Sequence, residues 1–183
     1  MTRLVPFTFL AAAAAMAFFA VRSESTANNS AFEKRSAKPS KAAVTRARKT
    51  VKMMDDIYKT TVVLITSKYV NKETDFPAGA AAVALFDHVT KKGYHQVRLI
   101  DVTGKPYDPK NVAKNTFEKE GVKQLKAGKS YYEKIDTIKG KPYLRAITPI
   151  PVVLKKCIMC HPHYAKAKKG EAIGAIVYAM PIE

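Results

Sequence analysis

The chain has only two cysteines, and they stand together in Cys157-Ile-Met-Cys160-His161. C-x-x-C-H is the attachment signature of a c-type haem. Two thiols about one helical turn apart can form thioether links to the two haem vinyl groups, and the adjacent imidazole of His161 then reaches the iron from one face. One covalently held haem c is therefore the expected cofactor. Other chemistries use parts of this pattern. A redox dithiol of the thioredoxin type shares C-x-x-C but expects a βαβ setting. A zinc site could draw on Cys157, Cys160, His161 and His163, yet ligands so crowded on one segment depart from the usual spacing. A short-loop disulfide is the third alternative.

The second axial ligand stays open at this level. His88, His95, Met53, Met54 and Met180 are candidates, as are water and an empty position. Among these, His88, His95 and Met54 stand foremost, Met54 because it falls on an apolar helical stripe whose default role is packing. His163 is too close to His161 along the chain to reach the opposite face, and Met159 is caught between the cysteines. Arg98 and Arg145 lie in strand patterns that do not need them. Either could pair with a haem propionate through a bidentate contact, or simply be an outward-facing charge.

These residues need elements to position them. Apolar residues recur at Val44, Ala47, Val51, Met54, Tyr58, Val62, Ile65 and Tyr69, a three-four spacing that predicts a long amphipathic helix from Ser40 to about Lys72. A second helix is expected over Gly79 to Lys91, with Ala82, Leu85, Phe86 and Val89 on one side. His95 to Val102 reads as a strand closed by a turn at Thr103-Gly-Lys-Pro106. Asn115-x-x-Glu118 makes a capping box for a third helix ending at Gly128. Ser130 to Ile138 and Pro142 to Ile150 form a hairpin about Lys139-Gly-Lys141, and Ala172 to Met180 is the last strand. Helices gather early and strands late, which predicts an α+β domain with an antiparallel sheet.

The 183 residues carry 32 Lys+Arg against 15 Asp+Glu, a formal +17. That excess first suggests nucleic acid or an anionic surface. The N-terminus redirects it. Residues 1–27 read as an export signal, with Arg3, an apolar run from Leu4 to Val21, and small residues at Ser25 and Ala27. An uncleaved anchor is the alternative, since the run is near the minimum of about 17 residues for a span. Residues 28–40 read as a flexible basic leader, and 41–183 as a single domain. The domain would lie in the periplasm or otherwise outside the cytoplasm, where nucleic acid is not an expected partner. An acidic redox protein or an anionic membrane surface suits the charge, much of which is expected in the leader and on the long helix, away from Cys157–His161. Oligomeric state is not legible.

Beyond the motif, the mature chain resembles the bacterial single-haem c-type domains with a PAS-like α+β fold, a family of largely unknown function found as free periplasmic cytochromes and as sensor modules. The resemblance runs through the N-terminal helix, Val97-Arg98, Asp108-Pro109-Lys-Asn111, Phe117-Glu118, Tyr132, Arg145-Ala146, Pro149, the C-x-x-C-H motif and Gly170-x-x-x-Gly174-Ala175. The chain departs from the family pattern at Asp108, Ala113 and Phe117, which stand for Asn, Pro and Trp, and by one extra residue before Glu118. Some members use an upstream cysteine as distal ligand; residues 77–84 contain none, so that ligand does not transfer. The resemblance implies a mono-haem electron carrier, or a haem-based redox or gas-sensing module without its own output domain. No catalytic residues are expected, and no distal His/Arg pair suggests a peroxidase.

Overall fold

Apolar periodicity and turn chemistry translate into four helices and four strands in a computed structural model that describes residues 38–183. The expected export segment and residues 28–37 of the leader lie outside the described residues. Helix α1 is Lys41–Tyr69, α2 Ala78–Lys92, α3 Thr116–Lys126 and α4 Lys156–Cys160; the strands are β1 Gln96–Asp101, β2 Tyr132–Ile138, β3 Lys141–Pro151 and β4 Ala172–Pro181. The result is the α+β architecture expected. No helix among the described residues is long and apolar enough to cross a membrane.

Local signals set most boundaries. Ser40 caps α1 by accepting the amide of Ala43 through Oγ at 3.1 Å. Gly93 ends α2 in the left-handed region at φ 82°, with its N–H on the Thr90 carbonyl. Lys139 and Gly140 both take positive φ between β2 and β3, the geometry that a two-residue hairpin turn requires. The capping box on α3 is only half realised. Asn115 Oδ1 accepts the Glu118 amide at 3.0 Å as expected, but the Glu118 carboxylate is used elsewhere.

The sheet order is β1-β4-β3-β2, antiparallel throughout, so β4 is interior and bonds to both β1 and β3. Alternation along each strand sends side chains to two cores. Val97, Leu144, Ala146, Ile176, Tyr178 and Met180 face α1 and α2. Ile100, Ile147, Ala175 and Val177 face α3, with Phe117 and Leu125. Two expected packing positions fail. Tyr69 is 76% exposed because the buried stripe of α1 ends one turn earlier, at Thr66, and Leu85 is 39% exposed while Ala78, Ala82 and Phe86 are the buried residues of α2.

Candidate functional site

The C-x-x-C-H segment sits in the connection from β3 to β4, between two strands that pair directly. A short turn of helix, α4, forms there. The Cys157 amide donates to Leu154 O and the His161 amide to Cys157 O at 3.2 Å. Pro162 has no N–H to continue the ladder, and the chain passes into a 3-10 turn over Pro162–Lys166. Positions three apart on a helix share a face, so Cys157 and Cys160 project alike; both are half-buried free thiols. Lys156 ties the segment to the end of α1, its Nζ donating to Ser67 O at 3.0 Å and Asn71 Oδ1 at 3.3 Å. A cation at a helix C-terminus is favoured by the carbonyls exposed there.

His161 is packed by aromatic rings. Tyr164 lies nearly parallel to its imidazole, centroids 4.6 Å apart and planes 25° from one another, and Tyr107 meets it edge-on at 5.6 Å. Stacking by Tyr164 occupies a flat face of the imidazole, whereas a ring nitrogen binds a metal in the ring plane, so that contact orients His161 without using its nitrogens. Burial, with His163 nearby, pushes the His161 pKa down, against a smaller opposite pull from Asp101. The neutral ring, the form that ligates metal, is thereby favoured. Burial likewise raises the Tyr164 pKa, so its phenol stays protonated. His163 stands at right angles to His161, 5.9 Å away, with its Nε2 sealed from solvent and without a hydrogen-bond partner.

The distal candidates are not gathered here. His95 is buried at the start of β1, its Nε2 3.1 Å from the Tyr58 hydroxyl. His161 instead neighbours Asp101 at the other end of that strand, roughly 20 Å away at the usual rise per residue. His88 is solvent-exposed, two residues before Thr90, whose hydroxyl binds the Val97 backbone near the start of β1. Met54 packs on the core of α1, Met180 is buried in β4, and Met53 is 54% exposed.

Both arginines are engaged within the protein. Arg98 donates to Glu118 at 2.8 Å and to the carbonyls of Lys110 and Val112 at 3.0 Å. Glu118 also takes the Lys114 amide, so the pair ties the 110–114 loop to the sheet. Arg145 lies over the Phe117 ring at 4.4 Å and reaches Asn115 at 2.9 Å.

Among the described residues no three His, Cys, Asp or Glu side chains assemble as a metal-binding group. Part of the positive charge also stands beside the motif along the chain. Lys155, Lys156, Lys166, Lys168 and Lys169 flank the motif, against Glu171 alone among acidic residues of the connection. Sequence reasoning passed over a buried polar cluster around Asp55. Its signal was present: Asp55 stands four residues after Val51 and three before Tyr58, within the apolar stripe.

An α+β domain with an antiparallel sheet flanked by helices, carrying C-x-x-C-H in a strand connection, defines the class. A family model described as Tll0287-like (Tll0287) matches residues 33–181, and the chain belongs to that family, one of c-type cytochrome and PAS-like domains. No curated protein matches the chain.

Proposed function

We propose that the chain is an exported mono-haem c-type protein that transfers single electrons, with the haem attached through Cys157 and Cys160 and the iron ligated by His161. The observation that carries this reading is the placement of two free thiols on one face of α4 with a half-buried imidazole immediately following. The donor set fits the group. Two thiols answer two vinyl carbons, and burial keeps His161 in its ligating form. His163 offers a buried, unpartnered nitrogen that would suit a propionate oxygen. When bound, the haem would supply a one-electron couple. The chain's own contribution would be to hold the ring covalently, pack His161 against Tyr164 and Tyr107, and flank the segment with lysines along the chain.

One observation favours a second reading. His88 and His95 stand toward the start of β1, away from the Asp101 end that His161 neighbours, which supports an open distal side and hence binding or sensing of a small diatomic ligand. The absorption spectrum of reduced protein with carbon monoxide separates the readings. Slow or absent binding supports the electron carrier, and rapid binding supports the ligand sensor.

Attachment is tested by denaturing extraction followed by pyridine haemochrome assay. Parent protein is expected to retain its haem, and the Cys157→Ala/Cys160→Ala double variant to lose it. His161→Ala is expected to keep covalent haem with an altered spectrum. Haem retained by the double variant would refute attachment through this motif.

A further inference from the structure

Between α1 and the sheet lies a polar cluster that haem attachment does not use. Tyr58 is 3% exposed and His95 6%, and the phenol oxygen of the first is 3.1 Å from Nε2 of the second. Beside them Tyr178, fully buried, donates from its hydroxyl to Asp55 Oδ1 at 3.0 Å. Thr148 donates to the same oxygen at 2.5 Å, and Lys59 to Oδ2 at 2.8 Å. The two phenol rings are nearly parallel, 7° apart with centroids at 6.4 Å, and Phe86 closes the edge of Tyr58 at 5.0 Å. Val51, Leu144 and Ile176 complete apolar walls.

Such surroundings restrict what Tyr58 can do when it meets a strong oxidant. A buried phenol that loses an electron and keeps its proton leaves an uncompensated cation in an apolar site, which is costly. Prior loss of the proton to solvent would leave a buried phenolate, also costly. A hydrogen-bonded neutral base lowers both costs, because the proton needs to travel only along the existing bond and the positive charge ends on an imidazole, a far stronger base than a phenol that has lost an electron. His95 is placed to be that base.

We propose that Tyr58 and His95 form a proton-coupled, one-electron redox site. A one-electron oxidant takes an electron from Tyr58, the Oη–H bond breaks, and the proton passes to His95 Nε2, leaving a neutral phenoxyl radical beside an imidazolium. Return of one electron reverses the transfer and restores the phenol. Burial raises the Tyr58 pKa and lowers that of His95, so both rest neutral, and the tautomer with the ring proton on Nδ1 makes the phenol the donor and Nε2 its acceptor. The stacked Tyr178 has its own acceptor in Asp55 and extends the aromatic array across to β4. Ser67, whose carbonyl anchors Lys156 beside Cys157, stands roughly 14 Å from Tyr58 along α1. A one-electron oxidant generated near Cys157–His161 is the source that this placement suits. The redox pair rests on the haem reading only for that source.

The test supplies its own oxidant. Full-length protein is flash-oxidised with a photogenerated ruthenium(III) polypyridyl, frozen, and examined by electron paramagnetic resonance with histidine labelled with nitrogen-15. A phenoxyl radical coupled to a histidine nitrogen is expected in the parent. Tyr178→Phe should keep that signal and Tyr58→Phe should lose it. His95→Gln, which preserves an acceptor for the phenol but lacks a basic nitrogen, should lower the yield severalfold. Absence of the radical from the parent, absence of nitrogen coupling, persistence of the coupled signal in Tyr58→Phe, or an undiminished yield in His95→Gln would each overturn the proposal. The parent's nitrogen coupling needs no folded variant. Haem content is assayed separately, so a coupled radical in protein lacking covalent haem refutes the haem reading and leaves the redox pair standing.

Discussion

A buried carboxylate requires a cation or several donors, and Glu118, 3% exposed, has both in Arg98 and the Lys114 amide. Arg98→Ala would leave that carboxylate without its charge partner, and we expect a loss of about 3 kcal/mol in denaturant unfolding. A propionate contact as its main role would instead leave unfolding unchanged and alter the haem spectrum. In sequence, Arg98 is visible as an arginine that its strand does not require, but its partner lies 20 positions away and reads there as a helix-cap residue. His95 carries a second prediction at this scale. Burial against Tyr58 and Tyr178 holds its pKa below the ordinary 6.5. Between that lowered value and 6.5 the unfolded chain binds the proton and the folded chain does not, so stability falls as pH drops below about 6.5. The decline levels off beneath the folded value. His95→Phe should flatten this part of the stability-pH curve, measured by chemical denaturation; His161 is lowered in the same direction but is common to both proteins.

At the scale of elements, α3 approaches the sheet closely because Gly121 has no side chain. A Cβ there would lie 2.6 Å from Ile147 Cγ2, so Gly121→Ala is expected to destabilise by about 1–3 kcal/mol in thermal or denaturant unfolding. Ile147→Val should recover part of that loss, since it removes the terminal methyl that the new Cβ would also meet at 3.1 Å. The helices and hairpin were legible because each announces itself locally, through the Val44 to Tyr58 stripe, the Ser40 and Asn115 caps, and Lys139-Gly140. α4 was not. Its five residues show no amphipathic period, and its end is fixed by Pro162 and by the Lys156 anchor to α1 rather than by propensity. The order of strands was equally hidden, since every strand pairs antiparallel and Ala172–Pro181 carries no mark that distinguishes an interior strand from an edge beyond its continuous burial.

For the whole molecule, the formal +17 combines with local placement. Lysines on both sides of the C-x-x-C-H segment would raise the rate of encounter with an acidic one-electron partner, and ionic strength would screen that advantage. We expect the second-order rate with an acidic redox protein, followed by stopped-flow absorbance, to fall as salt rises. A Lys166→Glu/Lys168→Glu/Lys169→Glu variant should react more slowly and show a weaker salt dependence. A neutral small-molecule reductant should show neither effect. The position of β4 has a further bearing on how the molecule is made. It joins β1 to the β3–β2 hairpin, yet it follows Cys157 and Cys160 in the chain. A ribosome or export channel therefore releases both thiols before it releases the strand that completes the sheet. An enzyme that modified those thiols would meet an unfinished domain, and the order of emergence itself would give it time to act before the fold closes.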